Sequence, residues 1–344
     1  MYTVVADSLD LLTLGVWSLI LSKGTSVSPR GIPCKELMAP TLVLNNPLNR
    51  LCTVSNRGWS MEYAGGELAW YLSGSSFLSF IEYYAPSYGR FSDDGNWLYG
   101  AYGPRIFVGK YDDAIQWSPW EKAFQKLWQD MSTRQAVIPI FEAEDIDVET
   151  KDLPCTLSLQ FMIRDQKLDL LVNMRSNDAW LGLPYDIFCF TVFQELMAAK
   201  LGVEIGRYYH HVGSLHLYDK NIEGVREALR SPNPYIALPN MPTSVLSRND
   251  KTWVNFLLAC EEELRLKPWG EYIKSTISEY VSNVPDLMSD CDIAQLLRAA
   301  WAWKRLCRER EADVNLVKMT SAQLEMKLGS VFKRCFTSME KVTR

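Results

Sequence analysis

The 344-residue chain has no long hydrophobic run, no excess of basic charge, no paired-cysteine motif and only three histidines. Each shortage excludes something. The apolar run from Leu11 to Leu21 is too short to cross a bilayer, and Asp7 and Asp10 lie where a secretion signal would carry positive charge. It reads as a buried helix, with Asp7 or Ser8 near its start and Gly24 at its end. A net charge of -5 gives no electrostatic footprint for a polyanion and no basic stripe stands out, so neither a nucleic-acid nor a membrane partner is expected. The eight cysteines are scattered without a CxxC pair, as in proteins whose thiols stay reduced, and a cytoplasmic location is expected. No repeat or low-complexity tract interrupts the chain.

What is present is the composition of an ordinary folded protein, 47% hydrophobic and 22% charged. The pattern predicts an α/β (α+β) fold in three stretches. The first, to about residue 150, mixes helical patterns such as Glu67 to Leu72 with aromatic, glycine-rich loops such as Asp93 to Gly103. The second opens at Leu153. There Thr156 to Ile163 alternates apolar and polar residues, Arg164-Asp165-Gln166-Lys167 interrupts, and Leu168 to Met174 resumes, which is a hairpin. After Pro184, apolar spacings of three and four from Ile187 to Leu201 predict a helix closed by Gly202, and Ser214 to Tyr218 reads as a strand. The third stretch, from about Ser247, carries helical patterns at Trp253 to Leu264 and Ile293 to Leu306, with Pro285 and Asp286 marking a break. The division expected is 1–246 as the main domain and 247–344 as a helical extension packed on it.

Four groups of residues carry possible chemistry. Cys155 stands at a loop-to-strand junction, whereas Cys189 and Cys260 lie inside apolar helical patterns. Burial is the default fate of a cysteine, and a nucleophilic Cys155 needs a cation nearby to favour its thiolate, for which Arg175 is the candidate. Arg175 opens a polar run through Ser176, Asn177 and Asp178 to Gly182 and Asp186. Side by side, a guanidinium and a hydroxyl suit a phosphate, although an Arg175–Asp178 surface ion pair is an equally simple reading. Asp186 reads alone as a helix N-cap. All three histidines, His210, His211 and His216, fall within seven residues, but at no standard metal-ligand spacing, so no metal is expected. In a strand His216 and Tyr218 share a face and can meet one ligand, or be part of a satisfied core.

Together these pieces resemble the thymidylate synthase and pyrimidine hydroxymethylase family. Its Pro-Cys nucleophile, Arg-Ser-x-Asp-x-x-x-Gly run and Gly-x-x-His-x-Tyr strand appear in order at Pro154-Cys155, Arg175 to Gly182 and Gly213 to Tyr218. Glu67 to Leu72 resembles the helix of the catalytic glutamate, and Tyr102-Gly103 the Tyr-Gly turn. The resemblance implies a thymidylate synthase-like mixed β-sheet with surrounding helices, and a homodimer. It implies that Cys155 attacks carbon 6 of a pyrimidine nucleoside monophosphate, with 5,10-methylenetetrahydrofolate as co-substrate. Arg30, Arg175 and Ser176 would bind the phosphate, joined across the dimer by Arg134; Gln135 replaces a second arginine there. His216 and Tyr218 would hold the sugar, Asp178 and Gly182 would line the folate and base region, Glu67 would organise water and protons, and Tyr102 would sit near the base.

Asp186 replaces the asparagine that this position resembles in the synthases. An asparagine amide suits uracil; cytosine reverses donor and acceptor, and a carboxyl group answers by accepting from N4 and giving a proton to N3. The adjoining helix start is expected to favour the ionised form. Cys155-Thr156 in place of Cys-His, and the segments Asn173 to Asp178 and Gly213 to His216, resemble phage deoxycytidylate hydroxymethylases. The short apolar tail of the synthases is not found, its place being taken by the helical extension. The resemblance therefore implies 5-hydroxymethylation of dCMP, with CMP as a further substrate. The alternatives are a thymidylate synthase or dUMP hydroxymethylase, and a non-catalytic nucleotide- or RNA-binding relative.

Overall fold

The structure, a computed structural model, describes residues 2–108, 118–243, 250–284, 292–309 and 313–336. Among these, β1 (Thr3–Ala6), β2 (Thr25–Val27), β3 (Cys34–Met38), β4 (Thr41–Leu44), β5 (Val137–Pro139), β6 (Thr156–Arg164), β7 (Lys167–Asp178) and β8 (Glu204–Tyr218) form one mixed sheet. Its order is β1-β4-β8-β7-β6-β5, with β3 also pairing β8 and β2 pairing β3. The expected hairpin is β6–β7. Asp165 and Gln166 close it, both at positive φ (51° and 60°), which matches the right-handed twist of the flanking strands. The strand expected at Ser214 to Tyr218 is longer. It begins at Glu204, where it pairs with β7, parallel; from Tyr208 onward β4 and then β3 pair its other edge, antiparallel. Pairing with neighbouring strands extends a strand past the part whose sequence alternates cleanly.

The helices are α1 (Leu9–Lys23), α2 (Met61–Leu72), α3 (Leu78–Glu82), α4 (Pro119–Gln129), α5 (Gly182–Leu201) and α6 (Ile222–Arg230), followed by α7 (Asp250–Leu266), α8 (Glu271–Ser282), α9 (Ile293–Arg308), α10 (Val314–Leu328) and α11 (Ser330–Cys335). Of the two residues expected near the start of α1, Ser8 is the N-cap, its side chain accepting from Leu11 N–H, and Gly24 is the C-cap as expected. The central element is α5, which makes the parallel crossover from β7 to β8. It is buried on nearly every side, as a helix that is apolar all round must be, and Gly202 ends it at φ 71°. It starts five residues before the expected Ile187. Pro184 sits in its first turn, where the missing N–H costs nothing.

Helices α7 and α9 pack on α2. Close approach requires glycine there: a Cβ on Gly65 would lie 2.7 Å from Leu297 Cδ2 and 2.9 Å from Trp301 Nε1, and one on Gly66 would lie 2.3 Å from the Tyr84 ring. The expected break at Pro285 and Asp286 lies outside the described residues. No helix among the described residues is long and apolar enough to cross a membrane.

Candidate functional site

Cys155 is half-buried at the entry to β6. Its position is held by Arg175 on the neighbouring β7. The Arg175 backbone N–H donates to Cys155 O (2.8 Å), and its guanidinium donates through Nε to Pro154 O (2.9 Å) and through an Nη to Leu153 O (3.0 Å). The guanidinium thus clamps the loop before the thiol instead of forming the surface ion pair with Asp178. Burial pushes the Cys155 thiol up; the Arg175 charge works against that, then Asp186 and Asp152 add to it, and Arg30 opposes. The sign expected of Arg175 holds, but desolvation outweighs it. Cys189 and Cys260 are buried in α5 and α7.

Glu67 projects from α2, whose N-cap is Ser60, into an aromatic pocket. Tyr63, one turn earlier, donates its O–H to Glu67 Oε1 (2.6 Å), and Tyr88 donates to the same oxygen (3.3 Å). Burial raises the carboxyl pKa from 4.5 to about 7, against the pull of these hydroxyls. Tyr102 stacks on Tyr71 (5.2 Å between centroids) and accepts the backbone N–H of Thr156 at 3.1 Å, so its hydroxyl lies beside the Cys155 junction. Burial, then the charges of Cys155 and Asp186, raise its pKa well above the usual phenol value.

Asp186 is not an N-cap. Leu181 occupies that position, and Asp186 lies beyond the first turn of α5, where the field of the helix terminus has faded. Its carboxyl is buried and is raised well above the ordinary carboxylate range by desolvation, then by the charge of Glu67, against a hydrogen bond from Asn177. Burial therefore acts against the ionised form that a helix start was expected to favour. Asn177 Nδ2 donates to Asp186 Oδ2 at 2.7 Å. Gly182 borders this contact: a Cβ there would lie 3.2 Å from Asn177 Nδ2 and 3.3 Å from Asp186 Oδ2.

The rim is assembled by sheet register. Ser176 pairs with Ser214 and Asp178 with His216 between β7 and β8, and Cys34 pairs with Tyr218 between β3 and β8. His216 and Tyr218 share a face, rings 4.9 Å apart. Asp178 Oδ1 accepts the backbone N–H groups of Trp180 (2.8 Å) and Leu181 (3.1 Å), shaping the turn into α5. Arg30 precedes β3 at φ 54°, and its charge acts on both Tyr218 and Cys155. Arg134 is exposed just before β5, and among the described residues none of its side-chain contacts involves the other groups of the site; its carbonyl accepts from Gln160. Neighbouring Gln135 accepts from Lys126 Nζ at 3.1 Å.

Sequence reasoning missed Tyr63, Tyr88 and Arg57, and took His210 only as part of the histidine cluster. The Tyr63–Glu67 spacing of one helical turn was a readable signal; the other contacts join distant segments. The Arg57 guanidinium lies over the rings of Trp180 (5.7 Å) and Tyr185 (5.2 Å), and Trp180 stacks on Trp17 (4.9 Å).

A mixed sheet around a buried crossover helix, with a cysteine, a buried glutamate and an arginine–serine edge, has counterparts among known proteins. The thymidylate synthase family model matches residues 14–259, and the chain belongs to that family. The solved thermostable thymidylate synthase A from Bacillus subtilis shares the fold, with a TM-score of 0.57 and 18% identity over 67% of this chain and 87% of its own. A deoxyuridylate hydroxymethyltransferase of Bacillus phage SP01 is 34% identical over 226 residues, which are 63% of this chain and 59% of the relative. One of Delftia phage PhiW-14 is 30% identical over 206 residues, 56% and 55% of the two chains. A thymidylate synthase of Listeria monocytogenes is 28% identical over 158 residues, 40% and 50%. The match thus spans between half and three-fifths of each curated relative's length.

Proposed function

We propose that this protein 5-hydroxymethylates a cytidine monophosphate nucleotide, dCMP in preference to CMP, with 5,10-methylenetetrahydrofolate and water. The observation that carries the cytosine reading is the buried carboxyl of Asp186, bonded by Asn177 Nδ2, where desolvation favours the acid form. A neutral carboxyl donates one hydrogen bond and accepts another, as N3 and N4 of cytosine require. Addition at carbon 6 pushes negative charge toward N3, so the proton offered by Asp186 counts most in the transition state.

In this mechanism the Cys155 thiolate bonds to carbon 6, making carbon 5 nucleophilic toward the methylene carbon. The folate supplies a one-carbon unit at the oxidation level of formaldehyde. Loss of the carbon 5 proton and departure of the folate nitrogen leave an exocyclic methylene on the base. Water adds there, giving up a proton to Glu67, and the electrons returned to the ring expel Cys155. Glu67, with its pKa near 7, is placed to hold either proton state at neutral pH. Arg30, Arg175 and Ser176 are assigned to the phosphate, His216 and Tyr218 to the sugar, and Asp178 and Gly182 to the folate and base boundary, with Tyr102 beside the nucleophile. Exposed Arg134 is assigned to the phosphate of a partner subunit in a homodimer. Residues 1–246 are taken as the catalytic domain and 247–344 as its helical extension.

Release of tritium from carbon 5 is the test. The protein is expected to release label from dCMP with methylenetetrahydrofolate, without the rise in dihydrofolate absorbance that a synthase produces. Asp186→Asn is expected to move the preference toward dUMP; an unchanged preference refutes the pairing. A second reading, dUMP hydroxymethylation, is favoured by the names of the phage relatives. It predicts release from dUMP and not from dCMP.

A further inference from the structure

Asp186 stands at the end of a line of buried polar groups that the mechanism above does not use. Tyr208 Oη is 2.7 Å from His210 Nδ1, His210 Nε2 is 3.3 Å from Asn177 Oδ1, and Asn177 Nδ2 is 2.7 Å from Asp186 Oδ2. Tyr208 and His210 are 0% exposed and Asn177 is 4% exposed. The two β8 residues, alternate in sequence, face the same side of the sheet.

The line has a direction. Burial, and secondarily the charge of His211, lower the His210 pKa to about 3, so its ring is neutral, with one N–H and one lone pair. In one arrangement Tyr208 O–H donates to Nδ1, Nε2–H donates to Asn177 Oδ1, and the Asn177 amide N–H donates to Asp186. Reversing all three would leave Tyr208 with a buried donor and no acceptor, since among the described residues His210 is its hydrogen-bonding partner. An unsatisfied donor costs far more than an unused lone pair on a phenol oxygen. The forward direction is therefore selected, and Asp186 Oδ2 always receives a donor.

That direction matters because a carboxylic acid by itself is ambivalent. By exchanging its hydroxyl and carbonyl oxygens it can match the edge of either cytosine or uracil. We propose that Asn177, oriented by His210 and Tyr208, is a specificity-determining positioning residue that fixes Oδ2 as the acceptor side of Asp186 and leaves Oδ1 as the donor side. The inference rests on the reading that Asp186 faces the base. The missing side chain of Gly182 keeps the Asn177–Asp186 contact uncrowded.

The experiment compares kcat/KM for carbon 5 tritium release from dCMP and dUMP in the full-length protein, Asn177→Ala and Tyr208→Phe. Where turnover is too slow, the same ratio is read from the dissociation constants of the two nucleotides by calorimetry. Tyr208→Phe keeps the ring and removes one hydroxyl, so it answers even if Asn177→Ala folds poorly. The wild-type selectivity is expected to shrink about tenfold in Asn177→Ala, as loss of one hydrogen bond implies, and by less in Tyr208→Phe. Equal losses for both nucleotides, with the ratio kept within about twofold in both variants, would make the relay merely structural and overturn the proposal. A wild type that prefers dUMP would instead refute the cytidylate reading alone; collapse of that opposite preference in the variants would still support the relay.

Discussion

Replacing Glu67 with glutamine is expected to make the protein more stable at pH 8 than the wild type and nearly indifferent at pH 4. In the folded chain the carboxyl has its pKa raised from 4.5 to about 7, chiefly by burial. The folded state therefore binds a proton more tightly than the unfolded chain, and between these two values it holds more protons. Stability falls with rising pH in that window, because ionising the unfolded chain is easier than ionising the buried group. At ~1.36 kcal/mol per pKa unit, the gap amounts to about 3 kcal/mol. It is absent below pH 4.5, grows through the window and is complete above pH 7. Glutamine removes this penalty while its carbonyl oxygen still accepts the Tyr63 hydroxyl that now donates to Oε1. Since the charge on Glu67 also raises Asp186, its removal relieves that carboxyl in the same direction. Urea unfolding at pH 4, 6 and 8 measures the difference between variant and wild type. It should rise from near zero toward about 3 kcal/mol; a difference that does not change with pH refutes the account of Glu67. The same variant should lose turnover, since function holds the carboxylate in a place where stability would not.

Arg175→Gln removes the cation that opposes the burial of Cys155 and the donors that clamp Leu153 and Pro154. Alkylation of Cys155 at pH 8, followed by mass spectrometry, should slow several-fold, and a faster rate would contradict the assigned electrostatics. Cys155→Ser should lower carbon 5 tritium release by about a thousandfold or more, as removal of a nucleophile does, with nucleotide binding retained; release near the wild-type rate would leave the thiol without a chemical role. Gly65→Ala places a methyl against Leu297 and Trp301, so it should cost about 1–3 kcal/mol in urea unfolding. A neutral effect would mean that α9 does not seat on α2 as described.

The sequence by itself determined the elements whose pattern is local. The β6–β7 hairpin, α1 with its Ser8 and Gly24 caps, and the Gly202 end of α5 were readable because alternation, capping side chains and a left-handed glycine act within a few residues. The family was readable because Pro154-Cys155, Arg175 to Gly182 and Gly213 to Tyr218 keep their order and spacing. Only the tertiary structure decided the length of β8, which depends on pairing with β7 from its first residue and with β4 and β3 further on. It alone decided that Arg175 grips the Cys155 loop instead of Asp178. It also decided the surroundings of Asp186, for which a reading along the chain pointed to an ionised residue at a helix start. Desolvation and the nearby charge of Glu67, both set by how α2, α5 and the sheet pack, push its pKa up instead. Local hydrogen-bonding geometry is written in neighbouring residues, whereas the cost of a buried charge depends on everything that surrounds it.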